Sequence, residues 1–239
     1  NSSISCSLES SPLESNWSAL IQERSPETSF EDSSSPQSLA LNWLLSDNFT
    51  TTVVYDNPDR IVQRFAVATL WFSTGRPGSG WLGSNSECNW QYDSASLEIS
   101  CDVRSMIQEL SIQYPESQSK RFPKEVGLLT SLTRVLVSSP NMPGSIPTKI
   151  GALTKLTYLF FVSKSSSDAL LGGTLPSEVG MLTALTFLSL VSNKLSGTLP
   201  AHLANFTNLK VLYLASNQLA GTVRPNLCVN LDKAQIDCG

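Results

Sequence analysis

Between residues 129 and 227 a lattice of leucines recurs, and its copies close on Gly, one variable residue, an aliphatic and Pro. The cleanest copy is LTALTFLSLVSNKLSGTLP, Leu182 to Pro200. Pro123 to Pro147 is one period of 24 residues and Pro176 to Pro200 is another; Pro147 to Pro176 is the same period plus five. A fixed period of about 20–29 residues builds a stacked solenoid, because a unit that short cannot bury its apolar side alone. Such a stack offers a long surface for holding a partner. It does not by itself offer a site for chemistry.

The repeated pattern is LxxLxxLxLxxNxLxGxIP. Leu129, Leu132, Val135, Val137, Met142, Gly144, Ile146 and Pro147 fill the first good copy. Leu153, Leu156, Leu159 and Phe161 open the second; five extra residues intrude within Ser165 to Leu171 before Gly173, Leu175 and Pro176 close it. The third copy is complete, and the fourth runs from Phe206 to Val223 with Arg224 in place of Pro. Ile107, Leu110, Ile112, Phe122 and Pro123 form an imperfect earlier copy, so about five repeats are expected. Within xxLxLxx, strand alternation sends the leucines inward and their neighbours outward. The predicted fold is an α/β solenoid: a short right-handed stack with a parallel sheet on its concave side. Asn193 and Asn217 stand where the chain leaves the strand. A buried amide there is expected to bond backbone groups of its own and the next repeat.

The net charge of −4 and the absence of a basic face beyond Lys120, Arg121 and Lys124 exclude nucleic-acid and anionic-membrane partners. No apolar run approaches the roughly 20 residues that span a bilayer. The chain begins at Asn1 rather than Met and reads as processed or excised, so any signal or anchor is expected outside these residues. Cys88 and Cys101 precede the repeats, Cys228 and Cys238 follow them, and Cys6 is left over. Two local pairs at the two ends read as stapled caps; the alternative is four buried thiols in a cytosolic protein. No CxxC pair occurs, so no metal site is expected. N-x-[ST] sequons at Asn1, Asn16, Asn48 and Asn205 favour an oxidising, glycosylating route and an extracellular or cell-surface location.

Four segments follow. Residues 1–35, rich in Ser, Glu and Pro, are expected to be a disordered linker. Residues 36–103 form an N-terminal cap with helix starts at Ser35-Pro36 and Asn57-Pro58. Its Gly-rich loop with Trp81 and Trp90 is expected to pack under those helices. Residues 104–227 are the repeats, and 228–239 a C-terminal cap.

The Gly-x-Ile-Pro closure resembles the plant-type leucine-rich repeat over about residues 104–227. The flanks SPQSLALNWLL, DRIVQRFAVATLWFSTG, Trp81, Cys88-x-Trp90 and Cys101 are similar to caps of secreted and receptor-like members, including those of diatoms. Leu227-Cys228 to Asp237-Cys238 resembles a cysteine-closed C-terminal cap. The resemblance implies an extracellular binding module, often part of a receptor-like protein. Pro140 and Lys164 depart from the turn Asn, and Cys88 to Cys101 is wider than the usual cap spacing.

Catalytic signatures are missing: there is no GxSxG elbow, HExxH or GK[ST] loop. His202 reads as a surface residue. Gly78 to Gly83 matches GxGxxG but lacks the βαβ context of a dinucleotide site. Glu125 and Glu178 read as solvated positions. No enzyme activity and no cofactor are expected; any kinase would lie outside the chain. The outward strand positions form two columns: Glu109, Arg134, Tyr158, Phe187, Val211, and Ser111, Leu136, Phe160, Ser189, Tyr213. Four aromatics among them mark the candidate face, with Arg134, Ser189 and Val211 beside them. The alternative is that neighbouring residues cover it. A protein or peptide ligand is expected, with a cell-wall glycan as the further candidate. The competing role is a secreted structural, wall-adhesive or enzyme-inhibitory glycoprotein.

Overall fold

The computed structural model describes residues 11–73, 82–90, 97–113, 121–138, 143–162, 171–221, 225–228 and 231–236. Three helices open it: α1 (Pro12–Arg24), α2 (Pro36–Ser46) and α3 (Pro58–Ser73). Ser11 and Ser35 cap the first two, their hydroxyls accepting from the backbone N–H groups of Glu14 and Ser38. Asn57 Oδ1 accepts from Arg60 N at the start of the third.

α1 corrects the linker expectation. Trp17 and Ile21, one turn apart on one helical face, are buried against the core. The stretch after it is docked as well. The rings of Phe30 and Phe65 meet edge to face at 5.9 Å, and Lys149 Nζ lies 2.8 Å from the Glu27 carboxylate. Ser and Glu dominate the average composition of this segment, but a few well-spaced apolar residues suffice once a neighbouring helix covers them.

α3 is buried through eleven consecutive residues, Ile61 to Trp71, including Arg64 at 0% exposure. Burial of a guanidinium is costly unless its donors are answered. Arg64 donates to Glu87 at 2.9 Å, to Asp47 at 2.8 Å and to the Thr50 hydroxyl at 2.8 Å. Its plane sits 4.7 Å from the Trp90 ring and 5.1 Å from that of Trp43. Arg60 adds a 2.7 Å bond to Glu87, so two cations face two carboxylates. Burial raises the Glu87 pKa, but hydrogen bonds from Arg60 and the backbone, with the charges of Arg64 and Arg60, bring it below the usual value. Gln63 carries the network onward: its Nε2 donates to Glu87 and its Oε1 accepts from Ile107 N at 2.7 Å. The cap is thereby bonded to the first repeat strand. The Cys88–Cys101 disulfide closes the same corner.

The strands are β1 (Leu97–Cys101), β2 (Ile107–Gln113), β3 (Arg134–Ser138), β4 (Tyr158–Val162), β5 (Gly172–Thr174), β6 (Phe187–Ser189), β7 (Lys194–Thr198), β8 (Val211–Tyr213), β9 (Gln218–Ala220) and β10 (Lys233–Gln235). Seven of them form one sheet in the order β1-β2-β3-β4-β6-β8-β10. All its pairings are parallel except β1 with β2. β5, β7 and β9 form a second parallel sheet. The prolines open 3₁₀ turns at Lys124–Leu128, Thr148–Ala152, Ser177–Met181 and Ala201–Asn205. Between these layers lie the inward leucines, among them Leu159, Leu188 and Leu212, each at 0% exposure.

The turn asparagines work against the preceding repeat rather than the next. Asn217 Nδ2 donates to Leu190 O at 2.8 Å and to its own repeat at Leu214 O, and Asn193 Nδ2 reaches back to Phe161 O. The residue before each, Ser192 or Ser216, sits at φ 58°, which turns the amide into the stack. Met142, Pro140, Lys164, Trp81, Arg224 and most of the five-residue insertion lie outside the described residues.

Candidate binding face

The outer face of the seven-stranded sheet is built by register. Glu109 pairs with Arg134, Arg134 with Tyr158, Tyr158 with Phe187, and Phe187 with Val211. The second row pairs Ser111, Leu136, Phe160, Ser189 and Tyr213 in the same way. Both columns therefore lie where the spacing of the leucines places them.

Adjacent parallel strands stand about 4.8 Å apart, a little more than the thickness of an aromatic ring. In-register rings on them stack. Tyr158 and Phe187 lie 4.2 Å apart between centroids with only 8° between planes. The Arg134 guanidinium covers the next position at 4.8 Å from the Tyr158 centroid, and Tyr213 meets Phe187 edge to face at 6.1 Å. Phe160 flanks both stacked rings at 6.5 and 6.4 Å. Arg134 also lies 3.8 Å from the Glu109 carboxylate. The four rings are half-buried. Part of that burial comes from their covering one another's faces, so the column offers solvent its ring edges.

Two expected positions behave differently. Ser189 is 1% exposed, because it sits in register between Phe160 and Tyr213, whose larger side chains shield it. It is not available to a ligand. Glu125 is also 1% exposed: Gln37 of α2 donates to its Oε1 at 3.0 Å, and its Oε2 has no hydrogen-bond partner among the described residues. The helical cap covers this first repeat where later repeats leave Glu178 half-exposed.

The remaining sequence-derived sites are placed as follows. Cys88 and Cys101 are bonded to each other. Cys228 is exposed, and Cys238 lies outside the described residues, as do Cys6 and Asn1. Asn16, Asn48 and Asn205 are all exposed, as is His202. The Arg64–Glu87–Asp47 network escaped the sequence reading. Its signal was an arginine inside the apolar run of α3, with tryptophans on either side in sequence.

The Leucine Rich Repeat family matches residues 184–206 and 208–231. No curated protein sequence matches the chain. Among solved structures, a plant ice-binding protein is 32% identical with a TM-score of 0.55, over 65% of this chain and 48% of its own length. The BIR3–SERK2 complex from Arabidopsis thaliana gives 29% identity and a TM-score of 0.50, over 60% of this chain and 71% of that one. The ectodomain of the receptor kinase SOBIR1 from Arabidopsis thaliana shares the fold at 21% identity and a TM-score of 0.54, over 72% and 90%. The chain spans only 15% of one longer plant receptor-kinase ectodomain that it matches. The chain carries plant-type leucine-rich repeats, and its fold is that of plant leucine-rich-repeat receptor ectodomains.

Proposed function

We propose that the chain is an extracellular recognition module that binds a protein or peptide across the outer face of the seven-stranded sheet, as the ectodomain of a receptor-like protein. The observation that carries this reading is the cluster of half-buried rings, Tyr158 and Phe187 of the first column and Phe160 and Tyr213 of the second, with the exposed Arg134 over Tyr158. Aromatic and Arg clusters of this kind anchor protein interfaces. A glycan fits the stacked pair less well, since a sugar ring stacks on an aromatic face, and Tyr158 and Phe187 cover one another with Arg134 over Tyr158. Three exposed sequons and the Cys88–Cys101 disulfide support an extracellular setting.

The test is capture of secreted proteins and peptides by the wild type and by Tyr158→Ala and Phe187→Ala. Each substitution should weaken a captured partner by about 30-fold, as at an interface anchor, with far-UV circular dichroism unchanged. A partner held equally well by both variants would refute this face.

A second reading is favoured by one observation. Ser145, Thr174 and Thr198 are exposed along the edge of the β5-β7-β9 sheet. Gly197 and Gly221, at φ 77° and 92°, leave room for the methyls of Thr174 and Thr198. Exposed hydroxyls and methyls thus recur at corresponding positions of successive repeats, and a similar fold belongs to a plant ice-binding protein. Thermal hysteresis by the wild type, lost in Thr198→Lys, would establish this reading; its absence in the wild type would dismiss it.

A further inference from the structure

The sheet register extends the first column by one strand beyond the repeats. β10 pairs Lys233 with Val211 and Gln235 with Tyr213. The column thus reads Glu109, Arg134, Tyr158, Phe187, Val211, Lys233, apolar in the middle and charged at both ends. The two ends are unequal. Arg134 has its charge answered by Glu109 and by the face of Tyr158. Lys233 is exposed and takes part in none of the ion pairs among the described residues. On a chain of net charge −4 it is a local cation beside an aromatic surface.

Two strand spacings separate Phe187 from Lys233, about 10 Å. An extended peptide rises about 3.3 Å per residue, so the same distance is about three residues of ligand. Ring edges are the positive rim of the aromatic quadrupole, and they attract electron-rich groups such as another ring's face.

We infer that the partner segment is an acidic–aromatic peptide. One aromatic side chain lies over the edges of Tyr158 and Phe187, and one carboxylate three residues away pairs with Lys233. This rests on the peptide-binding reading above. It adds the chemistry of the ligand and assigns Lys233, on the C-terminal cap rather than in a repeat, as the residue that selects for acid.

The experiment uses blocked fluorescent octapeptides in a Gly-Ser background, with Trp and Asp three positions apart in both orders. Controls carry Lys for Asp, or Ser for Trp. Anisotropy is measured with the wild type, Lys233→Glu and Phe187→Ala. The acidic peptides should bind the wild type, lose about tenfold on Lys233→Glu and lose binding on Phe187→Ala. The Lys peptides should gain on Lys233→Glu, because charge reversal turns repulsion into attraction. Lys233 is exposed, so the variant should fold as the wild type does. Equal binding of Asp and Lys peptides, or a ranking unmoved by Lys233→Glu, overturns the acidic partner while leaving a Phe187-dependent peptide site standing. No binding by any peptide overturns this inference, and the capture experiment then decides the broader reading on its own.

Discussion

Gly151→Ala should destabilise the stack although it adds a single methyl group. Gly127, Gly151 and Gly180 each occupy the fourth residue of a 3₁₀ turn. A Cβ on Gly151 would stand 2.7 Å from Glu178 O and 2.8 Å from Glu178 Cβ, and one on Gly127 would stand 2.5 Å from Lys149 O. Each clash is with the turn of the following repeat and involves backbone, so no side-chain rotation relieves it. Overpacking of this kind costs about 1–3 kcal/mol. Ala restricts the unfolded chain more than Gly and returns about 0.4–1 kcal/mol. The net loss is about 1–2 kcal/mol, and with an m-value near 2 kcal/mol/M the urea midpoint falls by roughly 0.5–1 M. The fourth turn supplies the control. Its corresponding residue is Ala204, where a Cβ is already accommodated. Ala204→Gly should cost only about 0.5–1 kcal/mol, the ordinary entropy of glycine. Urea titration followed by far-UV circular dichroism reads both. A Gly151→Ala midpoint at or above wild type would refute the claim that repeat stacking excludes a Cβ here.

The buried network of the cap should show itself in acid. Glu87 has its pKa held below 4.5 in the folded chain, so it contributes stability that is complete above the unfolded value and is lost as pH falls through the folded one. Thermal stability should be level from about pH 7 to 5 and decline below about 4; Glu87→Gln should flatten that decline, and an unaltered profile would count against it. Arg64→Ala removes the cation that answers the buried Asp47 carboxylate and leaves Glu87 to Arg60 alone, and it should cost about 3–5 kcal/mol, read as a lowered urea midpoint. Replacing Cys88 and Cys101 together by Ser opens a loop of sequence separation 13 and should cost about 3 kcal/mol; an unchanged midpoint would mean the corner is held by hydrogen bonds alone.

The repeats and both columns were legible because strand alternation and a fixed period leave little freedom: once Leu188 and Leu190 point inward, Phe187 and Ser189 point out. The helix starts at Ser35-Pro36 and Asn57-Pro58 were legible for a local reason, the cap chemistry itself. Other features were not. α1 is fixed by tertiary cover over Trp17 and Ile21, which composition averaged over a Ser-rich stretch does not register. The fate of Ser189 depends on the size of its register neighbours rather than on its own direction. Glu125 is buried by a helix nearly ninety positions earlier in the chain, a contact with no local trace. The partner repeat of the asparagines was read in the wrong direction, because spacing gives a position in the repeat but not the side toward which the amide tilts.

β1 runs against β2, whereas every later neighbour in that sheet is parallel, up to β10 with its three exposed residues. A coil that adds one strand per turn lays each strand down in the same direction. A reversed strand therefore cannot be the outcome of another turn, and β1 is a terminus in the geometric sense. The array has a polarity: one end is sealed against lengthening, and the other runs in the direction of growth. Duplication or loss of a 24-residue unit is compatible with the fold only downstream of β2. Variation in the length of this stack should accumulate toward Pro225, leaving the cap and its charge network as the fixed origin from which the repeats are counted.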